Sequence, residues 1–329
     1  MAPKRYTLYW SSLDLYEGCP QRYLWQKGWG AIDVGGGPGR PKPKPVKKSE
    51  HHAVMGTVIQ AVLEHFYNDE LWKLLQPVEL KARLLEMAEE FFKLEVARRY
   101  VDWRLSPPID EVKQVIRDGI LGYMRTLKEH KLLGPYARAE VELLGYIDKY
   151  TPVGGRADMI IRREDTGITI LDGKNGKRYK DGKGGTMTYT DPDQLRWYAL
   201  LFYLCHQKLP DRLGFVYFRY PFGNPILDDE GNPTGETEKG IDWVDFTKED
   251  VKGLAQRGVD ARRSMDKERF DANPSPKQCR LCDYETVCPQ RQSQKDANRR
   301  TPKAKPGDLK LQEFQVFSFG GGGESSRKE

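Results

Sequence analysis

Two aspartates and a lysine in the stretch GGRADMIIRREDTGITILDGKNGK, residues 154–177, could do chemistry together. Asp158 lies in one strand-like run, and Asp172 ends the next, followed at once by Gly173 and Lys174. A hairpin between the two runs would bring the carboxylates together. Two acids converging beside a lysine suit a site that holds Mg²⁺ or Mn²⁺ against a phosphate. The Gly173 carbonyl could add an oxygen ligand. Lys174 would position the attacking water and stabilise charge developing on phosphoryl oxygens. Aspartates at strand ends and a D-G-K turn are also common structural features, so more residues are needed to choose. Gln194 and Tyr198, four apart in DPDQLRWYALL, project from one helix face and could line a nucleic-acid groove beside the strands.

A second constellation is CRLCDYETVCP, with Cys279, Cys282 and Cys288 near the C-terminal end. In a reducing compartment clustered thiols more often bind metal than form disulfides. A four-ligand site needs one more donor, and no histidine or cysteine follows. C-x2-C is shared by zinc and iron–sulfur sites, so spacing does not decide between them. Cys205, in YALLFYLCH, reads as an ordinary buried thiol.

The elements that must position these residues are legible from periodicity. Residues 11–29 read as a short helix with Ser12 as a cap and Leu13, Tyr16 and Tyr23 on one face. A Gly/Pro/Lys-rich stretch, 30–50, reads as an exposed basic loop. Helical runs follow from about Gly56, from Pro77 to Tyr100, and over 109–130. The period then changes, and the runs near 139–148, 154–164 and 167–177 read as adjacent strands. Asp191 and Pro192 start a helix, 212–223 is a strand, and 223–240 a hairpin or insertion. Thr247 to Asp250 forms a capping box for another helix. One α/β core with helical additions over 1–295, and a flexible tail over 296–329, is the simplest account.

The 329 residues carry a net charge of +6, which favours an anionic partner without requiring one. No apolar run approaches the roughly 18 residues of a membrane-spanning helix, and the basic start lacks a secretory apolar stretch. A cytoplasmic protein is the expectation.

Four short patterns occur in order: Gly56-x3-Gln60-x2-Leu63-Glu64, Gly155-Arg156-x-Asp158, Leu171-Asp172-Gly173-Lys174 and Gln194-x3-Tyr198. Together they resemble the RecB-like branch of the PD-(D/E)XK nuclease superfamily. Cys19, in EGCPQRY, followed by the three late cysteines, resembles that branch's iron–sulfur subgroup. This subgroup includes AddB-type helicase nucleases and CRISPR-adaptation exonucleases. The resemblance covers most of residues 11–290. It implies a restriction-endonuclease-like mixed sheet flanked by helices. It makes Asp158 and Asp172 ligands of Mg²⁺ or Mn²⁺, to which the Gly173 carbonyl would add, and Lys174 the catalytic lysine. Gln194, Tyr198, Gln60 and Glu64 would support the site or contact DNA, and Glu140 or Glu142 would be an auxiliary acid. Cys19, Cys279, Cys282 and Cys288 would hold a [4Fe–4S] cluster that clasps the two ends of the fold. The implied activity is exonucleolytic hydrolysis of single-stranded DNA or duplex ends, in repair or recombination. No G-x4-G-K-[ST] pattern is present, so a helicase partner would be a separate chain.

One residue departs from the pattern. Gln60 stands where many relatives carry a metal-binding histidine, and a neutral amide is the weaker donor. His65 lies about 140° further round an ideal helix, and His51 and His52 precede the run. This departure keeps a second reading open, a catalytically weak DNA-binding or assembly subunit. An RNA-processing enzyme of the same fold is a third.

Overall fold

The computed structural model describes residues 6–28, 50–104, 106–133, 136–174, 190–218, 225–227, 233–237, 240–275, 279 and 282–291. The basic loop up to residue 49 and the tail from 296 lie outside them. The chain divides into two compact units, residues 1–284 and 285–329. In the second, Arg291 pairs with Glu285 at 3.2 Å.

The elements of the first unit run β1 (Leu8–Tyr9), α1 (Trp10–Gly18), α2 (Pro20–Lys27), α3 (His51–Asn68), α4 (Leu71–Leu74), α5 (Pro77–Arg98) and α6 (Ile109–Glu129). They continue with β2 (Tyr136–Tyr146), β3 (Pro152–Arg163), β4 (Gly167–Lys174), α7 (Pro192–His206), β5 (Arg212–Tyr217), β6 (Pro225–Leu227), β7 (Pro233–Thr237), β8 (Ile241–Val244) and α8 (Lys248–Asp266).

The helix expected over 11–29 is two helices. Cys19 is extended (φ −162°, ψ 102°), ending α1 and capping α2. Pro20 is the cause, because proline disfavours helical geometry in the residue before it and suits the first helical position. Ser12 is not the cap: Tyr9 holds that place, and Ser12 is buried inside α1. Helix α3 starts at His51, ahead of Gly56, so His51 and His52 belong to its first turn. The other start signals act locally, as their residue types require. The Asp191 side chain accepts the Asp193 N–H at 2.9 Å, and Thr247 and Asp250 cap each other at 3.1 and 2.7 Å. Strands β1 and β8 are too short to carry a sequence pattern of their own.

The main sheet is mixed. Strand β3 pairs antiparallel with β2 along one edge, and on the other edge it meets β4 antiparallel and β1 parallel. Parallel β5 follows β4, and antiparallel β8 closes that side. Strands β6 and β7 form a separate hairpin. Helices cover both faces. One core gathers α3, α5 and α6 against Ala137, Ala139, Met159, Ile161 and Leu171. The other gathers α1, α7 and α8 against Leu143, Val153, Ala157, Ile170 and Phe215. The Arg257 guanidinium ties three helices of this second layer, bonding Glu17 at 2.7 Å and also Asp193.

Helix α7 lies unusually close to β3. The Trp197 indole N–H donates to the Gly154 carbonyl at 3.2 Å. A Cβ added at Gly155 would come within 2.7 Å of Leu201 and 3.2 Å of the Tyr198 ring. This glycine therefore sets the height of Tyr198 above the sheet. Gly155→Val is expected to lower stability by about 1–3 kcal/mol, the usual cost of overpacking. A urea midpoint equal to wild type would show that α7 does not depend on this contact.

Candidate active site

Strand β3 hands its edge from one partner to another, and the site forms in the gap. Along that edge β1 pairs with Val153 and Gly154, whereas β4 pairs only from Met159 onward. The β3–β4 register stops at Met159↔Leu171, one residue short of Asp158 and Asp172. The Gly173 N–H there donates to Asp158 Oδ2 at 2.8 Å, so a side chain takes the place of a ladder bond.

The opposite edge is interrupted at the same level. The β2–β3 register runs from Tyr136↔Arg162 to Ala139↔Met159, resumes at Val141↔Ala157, and omits Glu140 and Asp158. Glu140 has φ +53°, a left-handed backbone that costs a non-glycine residue of order 1–3 kcal/mol. The pleat inverts there. In a regular strand residues i and i+2 share a face. Here Ala139 and Met159 enter the α3/α6 core, whereas Val141 and Ala157 enter the α7 core. Asp158 thus stands on the seam between the two layers, within reach of side chains from both.

Those side chains form one network. From the α3 layer, Gln60 Nε2 donates to Asp158 Oδ2 at 3.1 Å. From the α7 layer, Gln194 Nε2 donates to Asp172 Oδ1 at 2.7 Å, and Gln194 Oε1 accepts from Lys174 Nζ at 2.7 Å. Gln194 also approaches the Tyr198 hydroxyl at 3.4 Å. Lys174 Nζ lies 2.6 Å from Asp172 Oδ2, an ion pair whose angles fall outside hydrogen-bond geometry, so this buried oxygen has no hydrogen-bond partner. The structure brings Asp158, Asp172, Gly173, Lys174, Gln194, Tyr198 and Gln60 into one place.

Burial governs the electrostatics. Desolvation, followed by the charge of Asp172, pushes the Asp158 carboxyl well above the usual carboxylate range. Desolvation also raises Asp172, opposed by Lys174. The Tyr198 hydroxyl is raised by burial and by both aspartates, and it stays protonated. Two desolvated carboxylates side by side form a hard-oxygen donor set that fits a divalent cation. Among the described residues no three His, Cys, Asp or Glu side chains are yet gathered as a metal cage.

Of the two candidate auxiliary acids, Glu140 shares a small cavity with Gln60, Asp158 and Phe218, whereas Glu142 is exposed. Burial raises the Glu140 carboxyl, against the pull of Arg156. Glu64 is exposed one turn beyond Gln60 on α3 and acts on Glu140 through its charge. His65 lies elsewhere, bonded to Asp69 at 2.7 Å and stacked on Phe91. His51 bonds Ser106 at 3.1 Å. The pleat inversion and the strain at Glu140 leave no mark in residue types, so the sequence hid them.

No disulfide joins any of the five cysteines. Cys19 sits at the α1–α2 break. The Cys279 carbonyl accepts from the N–H of Cys282 at 3.2 Å. The residues just after it dock on α2, with Asp283 3.8 Å from Arg22 and the Tyr284 ring 5.4 Å from that of Trp25. Cys288 belongs to the second unit. Cys205 is exposed rather than buried, because α7 emerges from the core in its last turn, and its thiol donates to the Leu144 carbonyl at 3.3 Å.

A family model described as the PD-(D/E)XK nuclease superfamily matches residues 9–289. Comparison with curated proteins gives no match. Among solved structures, the crystal structure of SSO0001 is similar at 18% identity, over 55% of this chain and 78% of its own, with a TM-score of 0.30.

The network makes a sign-definite prediction. A carboxyl raised in the folded state binds its proton more tightly folded than unfolded. It therefore favours folding below its raised value, and that contribution is lost as pH rises through the window above the ordinary carboxylate range. Asp158→Asn keeps an oxygen to accept from Gly173 and Gln60 but removes the charge. In divalent-free buffer at neutral pH it is expected to raise stability by about 0.5–2 kcal/mol. Thermal melts showing a clear loss would contradict the strained-carboxylate account.

Proposed function

The chain belongs to the PD-(D/E)XK nuclease superfamily, and from its site we propose a metal-dependent DNA nuclease that hydrolyses phosphodiesters, as an exonuclease on single strands or duplex ends. The observation that carries this reading is the half-buried Asp158 beside the buried Asp172, with Lys174 held next to Asp172 by Gln194. A divalent ion held by Asp158, Asp172 and the Gly173 carbonyl would polarise the phosphate and neutralise its developing charge.

The chain's own residues do the rest. Gln194 holds Lys174 and Asp172 in fixed relation, so the ammonium stays at the carboxylates rather than folding into solvent. Lys174 orients the attacking water and offsets negative charge as the water oxygen bonds to phosphorus and the bond to the leaving sugar oxygen breaks. Tyr198, kept protonated by its surroundings, closes the floor of the site against water. Gln60 holds Asp158 from the α3 side, and in its present orientation it does so as a donor.

From the cysteine pattern we propose that Cys19, Cys279, Cys282 and Cys288 hold a [4Fe–4S] cluster, although among the described residues they are not gathered as a metal-binding group. Support comes from thiolate donor chemistry and from docking of the 282–284 segment on the helix that Cys19 caps. Cys288 joins the set on the sequence pattern alone.

With Mg²⁺ or Mn²⁺, protein purified anaerobically is expected to degrade end-labelled single-stranded DNA. Asp172→Ala and Lys174→Ala should each reduce the rate by roughly 10²–10³-fold, the scale of losing one charge-stabilising group. Cleavage that survives both changes would place the chemistry elsewhere, and DNA binding without cleavage by wild type would favour an assembly subunit. For the cluster, iron content and broad absorbance near ~400 nm are expected, both lost in Cys19→Ser. Stoichiometric zinc without iron would replace this assignment.

A further inference from the structure

We propose that Arg156 receives the phosphate backbone of the substrate beside the carboxylates, and that Glu140 holds it in reserve until a strand arrives. This rests on the nuclease reading and adds to it a substrate-binding residue and the device that keeps it in place.

Arg156 stands two residues before Asp158 on β3, where the strand edge lacks a partner from β1 or β4. Its side chain is 65% exposed. Among the described residues its guanidinium makes one hydrogen bond, from Nη1 to Glu140 Oε2 at 3.3 Å. A guanidinium carries five donors, so most of this one faces solvent. Exposed single-point ion pairs of this kind are weak and exchange readily.

Among the described residues, the other cation of the site is committed. Lys174 is only 16% exposed and is engaged by Asp172 and Gln194. A phosphodiester entering from solvent would therefore meet Glu140, Asp158 and Asp172, with Glu64 and Glu142 nearby, and be repelled. It needs a positive group on the open side, and a planar guanidinium matches phosphate oxygens with parallel charge-assisted bonds.

Glu140 is built for the holding role. Its left-handed backbone falls at the one interrupted rung of the β2–β3 ladder. A regular strand would alternate straight through this position, whereas here the break sets the Glu140 carboxylate beside Asp158 and within reach of Arg156. The same acid that tethers the guanidinium competes with phosphate for it. The exchange moves Arg156 from a carboxylate to a phosphate and forms no covalent bond.

The test is binding, without divalent ions, of a fluorescent single-stranded oligodeoxynucleotide, followed by anisotropy across a salt series. Arg156→Ala is expected to weaken binding roughly tenfold and to lower the salt slope by about 0.7, one phosphate contact on a single strand. Glu140→Gln should tighten binding severalfold, and the double variant should match Arg156→Ala. A merely structural Arg156 would not produce that dependence. Arg156→Lys, with its charge intact, should retain most of the salt slope and controls for misfolding. Unchanged binding in Arg156→Ala, or tightening by Glu140→Gln that persists without Arg156, would overturn the proposal. Wild-type protein that binds no nucleic acid would instead overturn the nuclease reading beneath it.

Discussion

Two carboxylates taken out of water beside each other are the constraint around which this protein is organised. Burial raises both carboxyls above their ordinary range, and the charge of Asp172 adds to the cost at Asp158 while Lys174 relieves it at Asp172. Such a pair persists only where surrounding groups hold it. The Gly173 N–H and Gln60 hold Asp158, while Gln194 and Lys174 hold Asp172. These groups come from three separated places in the chain, α3, the end of β4 and α7, so the pair is also where the fold converges.

That convergence explains irregularities a stability-minded fold would avoid. Strand β3 loses its partners on both edges at Asp158, and β2 carries a left-handed glutamate opposite it. A continuous ladder would have paired Asp158 in the middle of a sheet and confined its side chain to one layer. The inversion places it on the seam, where α3 supplies Gln60 and α7 supplies Gln194 and Tyr198. Strain at Glu140 and desolvation at the aspartates are costs of the kind that cluster at functional sites.

Much of the secondary structure is legible in the sequence because it rests on local causes. Asp191 before Pro192, and the Thr247–Asp250 box, start helices through bonds made within one turn. Strands β2 to β5 show in their β-branched runs and turn residues. Legibility ends where the cause is not local. Pro20 divides a run whose apolar spacing looks continuous, because periodicity does not register a missing N–H. Cys205 has the apolar neighbours of a buried thiol, yet its exposure depends on where α7 leaves the core. Strands β1 and β8 exist only because a sheet edge was there to pair with.

The sequence alone determined which groups could do chemistry: two aspartates and a lysine at strand ends, and an amide and a phenol four apart on a helix. These follow from residue type and from the periods of strand and helix. Tertiary structure alone decided their relations. It set Glu140, and not Glu142, beside Asp158 by inverting a pleat, and it set Gln60 as a donor to Asp158. It also left Arg156 on the open side while Lys174 was drawn in. The reason is physical. A side chain's type is local, whereas its protonation, partner and exposure depend on what the rest of the chain packs around it.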